Sequence, residues 1–131
     1  MIDLHPTKCN ICGGDVIYTS NSVIYGGREY SSGKCYLCTN CHAYVGTHKP
    51  RPTEALGLLS NKEMREKKMR CHDLFDTLWK NEPTSMKRRI ARKAAYQKLS
   101  NMMDIPVEEC HFGYFDLKQL EKAYAILQKM K

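Results

Sequence analysis

From Val16 to Tyr44 short apolar runs alternate with turn residues: DVIYT, then Ser20-Asn21-Ser22, then VIYGG, a loop at SSGK, and AYVG. Val, Ile and Tyr bounded by Gly, Asn and Ser predict short antiparallel strands joined by tight turns. The next stretch, THKPRPTEALGLLS, carries two prolines and a glycine and predicts an extended connector along the surface.

Beyond the connector the apolar period lengthens from that of a strand to that of a helix. Ser60 followed by Glu63 has capping-box spacing, and Met64, Cys71, Leu74, Phe75, Leu78 and Trp79 fall mainly on one helical face, which predicts a first helix over about 61–80. NEPTS breaks it. A second helix is predicted from Ser85, with Ile90, Ala91, Ala94, Ala95, Leu99 and Met102 on its apolar side. Pro106 and Gly113 interrupt DIPVEECHFGYF. Asp116 and Gln119 make another capping box, and Leu117, Leu120, Tyr124 and Leu127 stripe a third helix.

The pattern therefore predicts an α+β protein: a zinc-ribbon-like antiparallel β module over residues 1–50, followed by about three α-helices over residues 51–131, the two parts packed as one unit. A chain of 131 residues is long enough for a modest core. Its apolar stretches are only a few residues long, far below the roughly 20 needed to cross a bilayer, so no membrane span is expected.

The candidate chemistry begins with cysteine. There are seven, an odd number, and the polar start MIDLHPTKCN does not read as a signal peptide, so reduced thiols and a cytoplasmic location are expected. In that compartment paired Cys-x-x-Cys motifs favour zinc over disulfides. Cys9 and Cys12 form the first pair, and Gly13-Gly14 behind them lets the backbone fold back and aim amides at sulfur. Downstream, Cys35/Cys38 and Cys38/Cys41 both have the spacing. Thr39-Asn40 is turn chemistry, whereas Tyr36-Leu37 suits a strand, which selects Cys38 and Cys41 as ligands and leaves Cys35 on the strand leading in. Four thiolates leave a Zn²⁺ ion no open position, so the metal is expected to be a structural staple.

With the ligands placed, CTNCHAYVGTH, ALGLLSNKEMR, CHDLFDTLW, AYQKLS and ECHFGYFD, in this order, resemble a family of small zinc-finger-containing domains of bacteria and their phages. The resemblance covers roughly Cys9 to Leu120. It implies a zinc-stapled fold, with the second ligand pair just before AYVG, and implies no particular chemistry. Three family positions carry histidine here: His48, His72 ahead of Phe75, Asp76 and Trp79, and His111 ahead of Gly113, Phe115 and Asp116. His42 stands where the family often has Asp, and Cys71 and Cys110 lie outside the pattern.

His48, His72 and His111 are the candidates for a second metal or acid–base site, as in a small metal-dependent nuclease; the alternative is that each satisfies local hydrogen bonds. Cys71 and Cys110 read most simply as core thiols. The formal net charge of +7 is concentrated, since residues 61–99 hold twelve Lys/Arg against five Asp/Glu. Lys87, Arg88, Arg89, Arg92 and Lys93 crowd two turns of the second helix, a footprint for phosphate backbones. Tyr18, Tyr25, Tyr30, Tyr36 and Tyr44 gather on the β module, as strand filler or as stacking platforms for bases. The expected role is that of a zinc-stapled nucleic-acid-binding accessory protein of bacterial or phage origin, with a protein-interaction or inhibitor module as the alternative.

Overall fold

Three strands, β1 (Val16–Ser20), β2 (Lys34–Cys38) and β3 (Tyr44–Gly46), pair antiparallel in the order β1-β2-β3. The computed structural model describes residues 2–130. The register sets Tyr18 opposite Tyr36 and Tyr36 opposite Val45. Because side chains alternate along a strand, Tyr36 and Cys38 share one face of β2 while Cys35 and Leu37 take the other. On the first face Tyr36, Cys38, Ala43 and Val45 are buried together with Cys9, Ala55 and Leu59. Two of these core residues are candidate zinc ligands, so sulfur occupies the space that hydrocarbon fills in a larger core.

The predicted strand at VIYGG is absent. Ser20 caps a 3-10 turn over Asn21–Val23, and Gly26 and Gly27 follow with φ of 65° and 97°. Buried Asn21 holds the loop: its side-chain amide donates to the Tyr30 carbonyl at 2.7 Å, and the Tyr30 N–H donates back to Asn21 Oδ1 at 3.1 Å. Positive φ at successive glycines and a side chain that competes for backbone partners both oppose a pleat. The connector expected to run along the surface instead enters the first core through Ala55 and Leu59, held by a bridge between Thr47 and Ala55 and another between Tyr44 and Ser60.

The chain divides into two compact units, the first ending at Lys62 and the second beginning at Glu63. The second is built by α1 (Lys62–Asp76), α2 (Ser85–Met103) and α3 (Leu117–Lys129). Met64, Cys71 and Phe75 from α1 meet Leu99 and Met103 from α2 and Leu120, Ala123 and Leu127 from α3. Phe112 and Phe115, in the segment between α2 and α3, complete this core, their rings 5.9 Å apart edge to face.

Three details differ from the pattern-based expectation. Ser60 lies in the bridge with Tyr44, one residue too early to cap a helix that begins at Lys62. α1 ends at Asp76 rather than near 80; Leu78 and Trp79 follow in turns and still pack against the core. The buried face of α2 runs through Ala95, Leu99, Ser100 and Met103, while Ile90 (63% exposed) and Met102 (43%) point outward. The helix ends behave as their sequences require. Thr84 Oγ1 accepts from the Lys87 N–H at 3.1 Å, Asp104 closes α2 in a left-handed conformation, and Asp116 and Gln119 form the expected reciprocal capping box.

Phe75→Ala should cost the helical unit about 3–5 kcal/mol by opening a cavity. Asp116→Ala should cost about 1 kcal/mol through loss of the cap. Urea unfolding followed by helical circular dichroism measures both, and an unchanged midpoint for Phe75→Ala would contradict the placement of that ring at the centre of the core.

Candidate functional site

The metal centre grows from two short backbone turns of the same kind. In the first, Gly13 N–H returns to the Cys9 carbonyl at 2.9 Å and Gly13 takes φ of 76°. In the second, His42 N–H returns to the Cys38 carbonyl at 3.2 Å and His42 takes φ of 66°. The residue after the second cysteine of each pair therefore turns left-handed. Glycine does so freely, and His is among the side chains enriched there. His42 thus has a backbone task that its chemistry does not reveal.

These turns bring the sulfurs of Cys9, Cys12, Cys38 and Cys41 within 4.8 Å of one another. Cys9 and Cys41 are 3.7 Å apart and Cys12 and Cys38 3.5 Å. A tetrahedron of Zn–S bonds of about 2.3 Å requires sulfur separations of about 3.8 Å. The donor set and its spacing fit Zn²⁺, and all-thiolate ligation fits a closed structural site. Backbone amides point at the sulfurs: Ile11 at Cys9 (3.4 Å), Gly14 at Cys12 (3.3 Å), and Asn40 and Cys41 at Cys38 (3.3 and 3.4 Å).

Two supporting side chains are not marked by the cysteine spacing. Asn40 Nδ2 donates to Cys12 Sγ at 3.4 Å; with the Gly14 N–H it draws the Cys12 thiol down to about 6. Asn10 exchanges two hydrogen bonds with the Leu59 backbone, at 2.9 and 3.0 Å, tying the first turn to the connector. Turn-forming asparagines beside ligand cysteines were the available signal. At Cys41 the Ala43 N–H favours the thiolate, but desolvation and the Cys12, Cys38 and Cys9 sulfurs outweigh it and push the thiol up to about 12. Four crowded sulfurs do not ionise together unless a cation joins them, which is the service Zn²⁺ performs. Gly14 is sterically obligatory here. A Cβ on it would lie 2.7 Å from Asn40 Cβ and 3.2 Å from the sulfurs of both Cys12 and Cys38.

Cys35 is buried, and desolvation raises its pKa, away from the four-sulfur cluster. Cys71 and Cys110 are buried in the helical core, where desolvation pushes each thiol up to about 11 and keeps it protonated. Among the described residues no other group of three or more His, Cys, Asp or Glu comes within metal-ligand reach. His48 lies in the first unit, where its backbone closes the turn to Glu54. His72 meets Phe112 edge-on at 4.7 Å, and the loss of water on that side lowers its pKa. His111 packs instead on Tyr114, ring centroids 4.7 Å apart. Of the tyrosines, Tyr36 is core and packs at a tilt of 52° against the exposed Tyr18 at 5.2 Å, while Tyr25 and Tyr30 pair edge to face at 4.9 Å.

The basic residues of α2 do not form a single stripe. At about 100° per residue, Lys87 projects on the side opposite Arg92. Arg88 is turned back, donating to the Glu82 carbonyl at 2.9 Å and to Ser85 Oγ at 3.3 Å. Arg89, Arg92 and Lys93 converge on a cavity of about 360 Å³. Tyr96 and Gln97 continue its wall on α2, and Val107, Cys110 and His111 form the facing side. The Arg92 guanidinium sits 5.1 Å from the Tyr96 ring centroid and 5.7 Å from that of Trp79, which orients it without neutralising it.

Cys38→Ser and Cys41→Ser should each abolish stoichiometric zinc and unfold the β module, whereas Cys35→Ser should retain one zinc per chain. Gly14→Ala should release zinc more readily in a competitive chelator titration, because the added methyl displaces Asn40 or a ligand sulfur. Zinc retention equal to wild type in Cys38→Ser would refute the ligand set.

No curated protein and no solved structure matches the chain. A family model described as a zinc-finger-containing domain matches residues 5–130. With that match spanning nearly the whole chain and four cysteines set for one Zn²⁺, the protein belongs to this zinc-finger-containing domain family.

Proposed function

We propose that this protein is a zinc-stapled nucleic-acid-binding module whose phosphate contacts come from α2. The observation that carries the reading is the convergence of Arg89, Arg92 and Lys93 on one cavity with no carboxylate among its lining residues. Cations lining one cavity attract a polyanion, and Arg92 is oriented toward it by its contacts with the Tyr96 and Trp79 rings. The concentration of the net charge within residues 61–99 supports the same partner, and most of the affinity is expected to come from phosphate contacts.

A second reading, recognition of another protein, is favoured by a different observation. Met86 and Ile90 lie one turn apart on α2 and are 70% and 63% exposed, an apolar pair beside the basic residues of its first turns. The two readings use different residues and separate by mutation.

Zinc-loaded protein should bind single-stranded oligonucleotides with an affinity that falls steeply with salt, and without cleavage in Mg²⁺ or Mn²⁺. Arg89→Ala/Lys93→Ala should reduce the slope of log K against log salt by about 0.7 for each phosphate that is no longer neutralised. Fluorescence anisotropy across a salt series checks this; an unchanged slope moves the interface off α2, and absence of binding to any nucleic acid rejects the function.

A further inference from the structure

The α2 cavity has two chemically distinct sides, and their combination narrows what it accepts. Arg89 and Lys93, one helical turn apart, bring positive charge with Arg92 beside them, while Val107 supplies an apolar surface above buried Cys110 and the exposed His111 offers a ring. The Tyr96 ring is already engaged by Phe75 at 4.3 Å and by the Arg92 guanidinium at 5.1 Å. The Tyr96 and His111 centroids are 6.2 Å apart, with their planes inclined at 50°. Cys110 is a neutral floor, since its thiol is buried. Glu108 and Glu109 stand between Val107 and Cys110 in sequence but do not line the cavity.

A uniform track for the interior of a strand needs single charges spaced along a groove. This site instead gathers its cations around one concavity whose volume of about 360 Å³ lies within the range of small-molecule pockets. An interior phosphodiester carries one negative charge. A terminal phosphate monoester carries about −1.5 to −2 near neutral pH and offers three acceptor oxygens, which suits three clustered donors better. The His111 ring and the apolar side suit a base attached to that phosphate.

We infer that this cavity binds a nucleotide bearing a terminal phosphate monoester, the phosphate held by Arg89, Arg92 and Lys93 and the base lodged against Val107 and His111. The ligand is the phosphorylated end of a single strand. A free mononucleotide offers the same chemistry and acts as a competitor. This inference rests on the nucleic-acid reading above, and it adds that the protein recognises strand ends.

The test uses the whole 131-residue chain, zinc-loaded, and fluorescently labelled single strands of one sequence with a 5′-phosphate, a 3′-phosphate or hydroxyls at both ends, with the label placed internally. One phosphorylated form should bind at least about tenfold tighter than the hydroxyl form, the worth of one added charge-assisted hydrogen bond. The mononucleotide carrying its phosphate at the same position should compete, and the corresponding nucleoside should not. Lys93→Ala should erase the difference, with salt-sensitive binding persisting at a reduced slope. Val107→Trp, which fills a cavity wall at a position already 37% exposed, should do the same without removing a charge. Circular dichroism checks that both variants remain folded.

Equal affinity for all three strands, with salt-sensitive binding retained, would overturn recognition of ends while leaving nucleic-acid binding intact. Absence of binding to every strand would overturn both readings. A preference that survives Val107→Trp and Lys93→Ala in folded protein would place the end-binding site elsewhere and overturn the assignment to this cavity.

Discussion

The convergence of four sulfurs within 4.8 Å is the constraint from which the first unit follows. Its sheet is only three short strands, and its buried hydrophobic cluster is small and already counts Cys9 and Cys38 among its members. Such a core does not hold itself together by burial alone. Joining Cys9 and Cys12 to Cys38 and Cys41 closes the long loop between the pairs, and metal binding then contributes directly to folding. The left-handed turns at Gly13 and His42, the amides aimed at sulfur and the clasp between Asn10 and Leu59 all serve that closure.

The second unit rests on different physics. Its helices meet around Phe75, Phe112, Phe115 and three leucines, with no cluster of metal-ligating side chains among its described residues. Its first two helices are separated by a turn-rich segment that follows Asp76, and the Thr84 cap restarts the chain as α2. That segment carries Trp79 beneath the Arg92 guanidinium and the Glu82 carbonyl to which Arg88 donates. The break in the helix therefore has an electrostatic consequence. It turns Arg88 back toward the Glu82 carbonyl and Ser85 and gives Arg92 a ring to rest on, so the cations that line the cavity are selected by local packing rather than by their number in the sequence.

The zinc ligands were legible because Cys-x-x-Cys chemistry is local: spacing limits the choice, and Thr39-Asn40 favours a turn where Tyr36-Leu37 favours a strand. The capping box at Asp116 and the start of α2 at Ser85 were legible for the same reason. Failure came where neighbours in space decide. VIYGG has strand-forming residues, yet the reciprocal bonds between Asn21 and Tyr30 and the positive φ of Gly26 and Gly27 fold it into a loop. Met102 and Ile90 have core-forming side chains, yet the helix is rotated so that Ser100 is buried and they are not.

Amino-acid order alone thus determined the ligand set, the succession of β module and three helices, and the charge concentrated in residues 61–99. Each depends on short-range spacing, propensity or a simple sum over residues. Tertiary structure decided which of six basic residues on α2 share a cavity, which tyrosine becomes core, and that His72 and His111 turn to different aromatic neighbours. Those outcomes depend on the rotation of each helix about its axis and on partners many residues away, which periodicity constrains only to within a face.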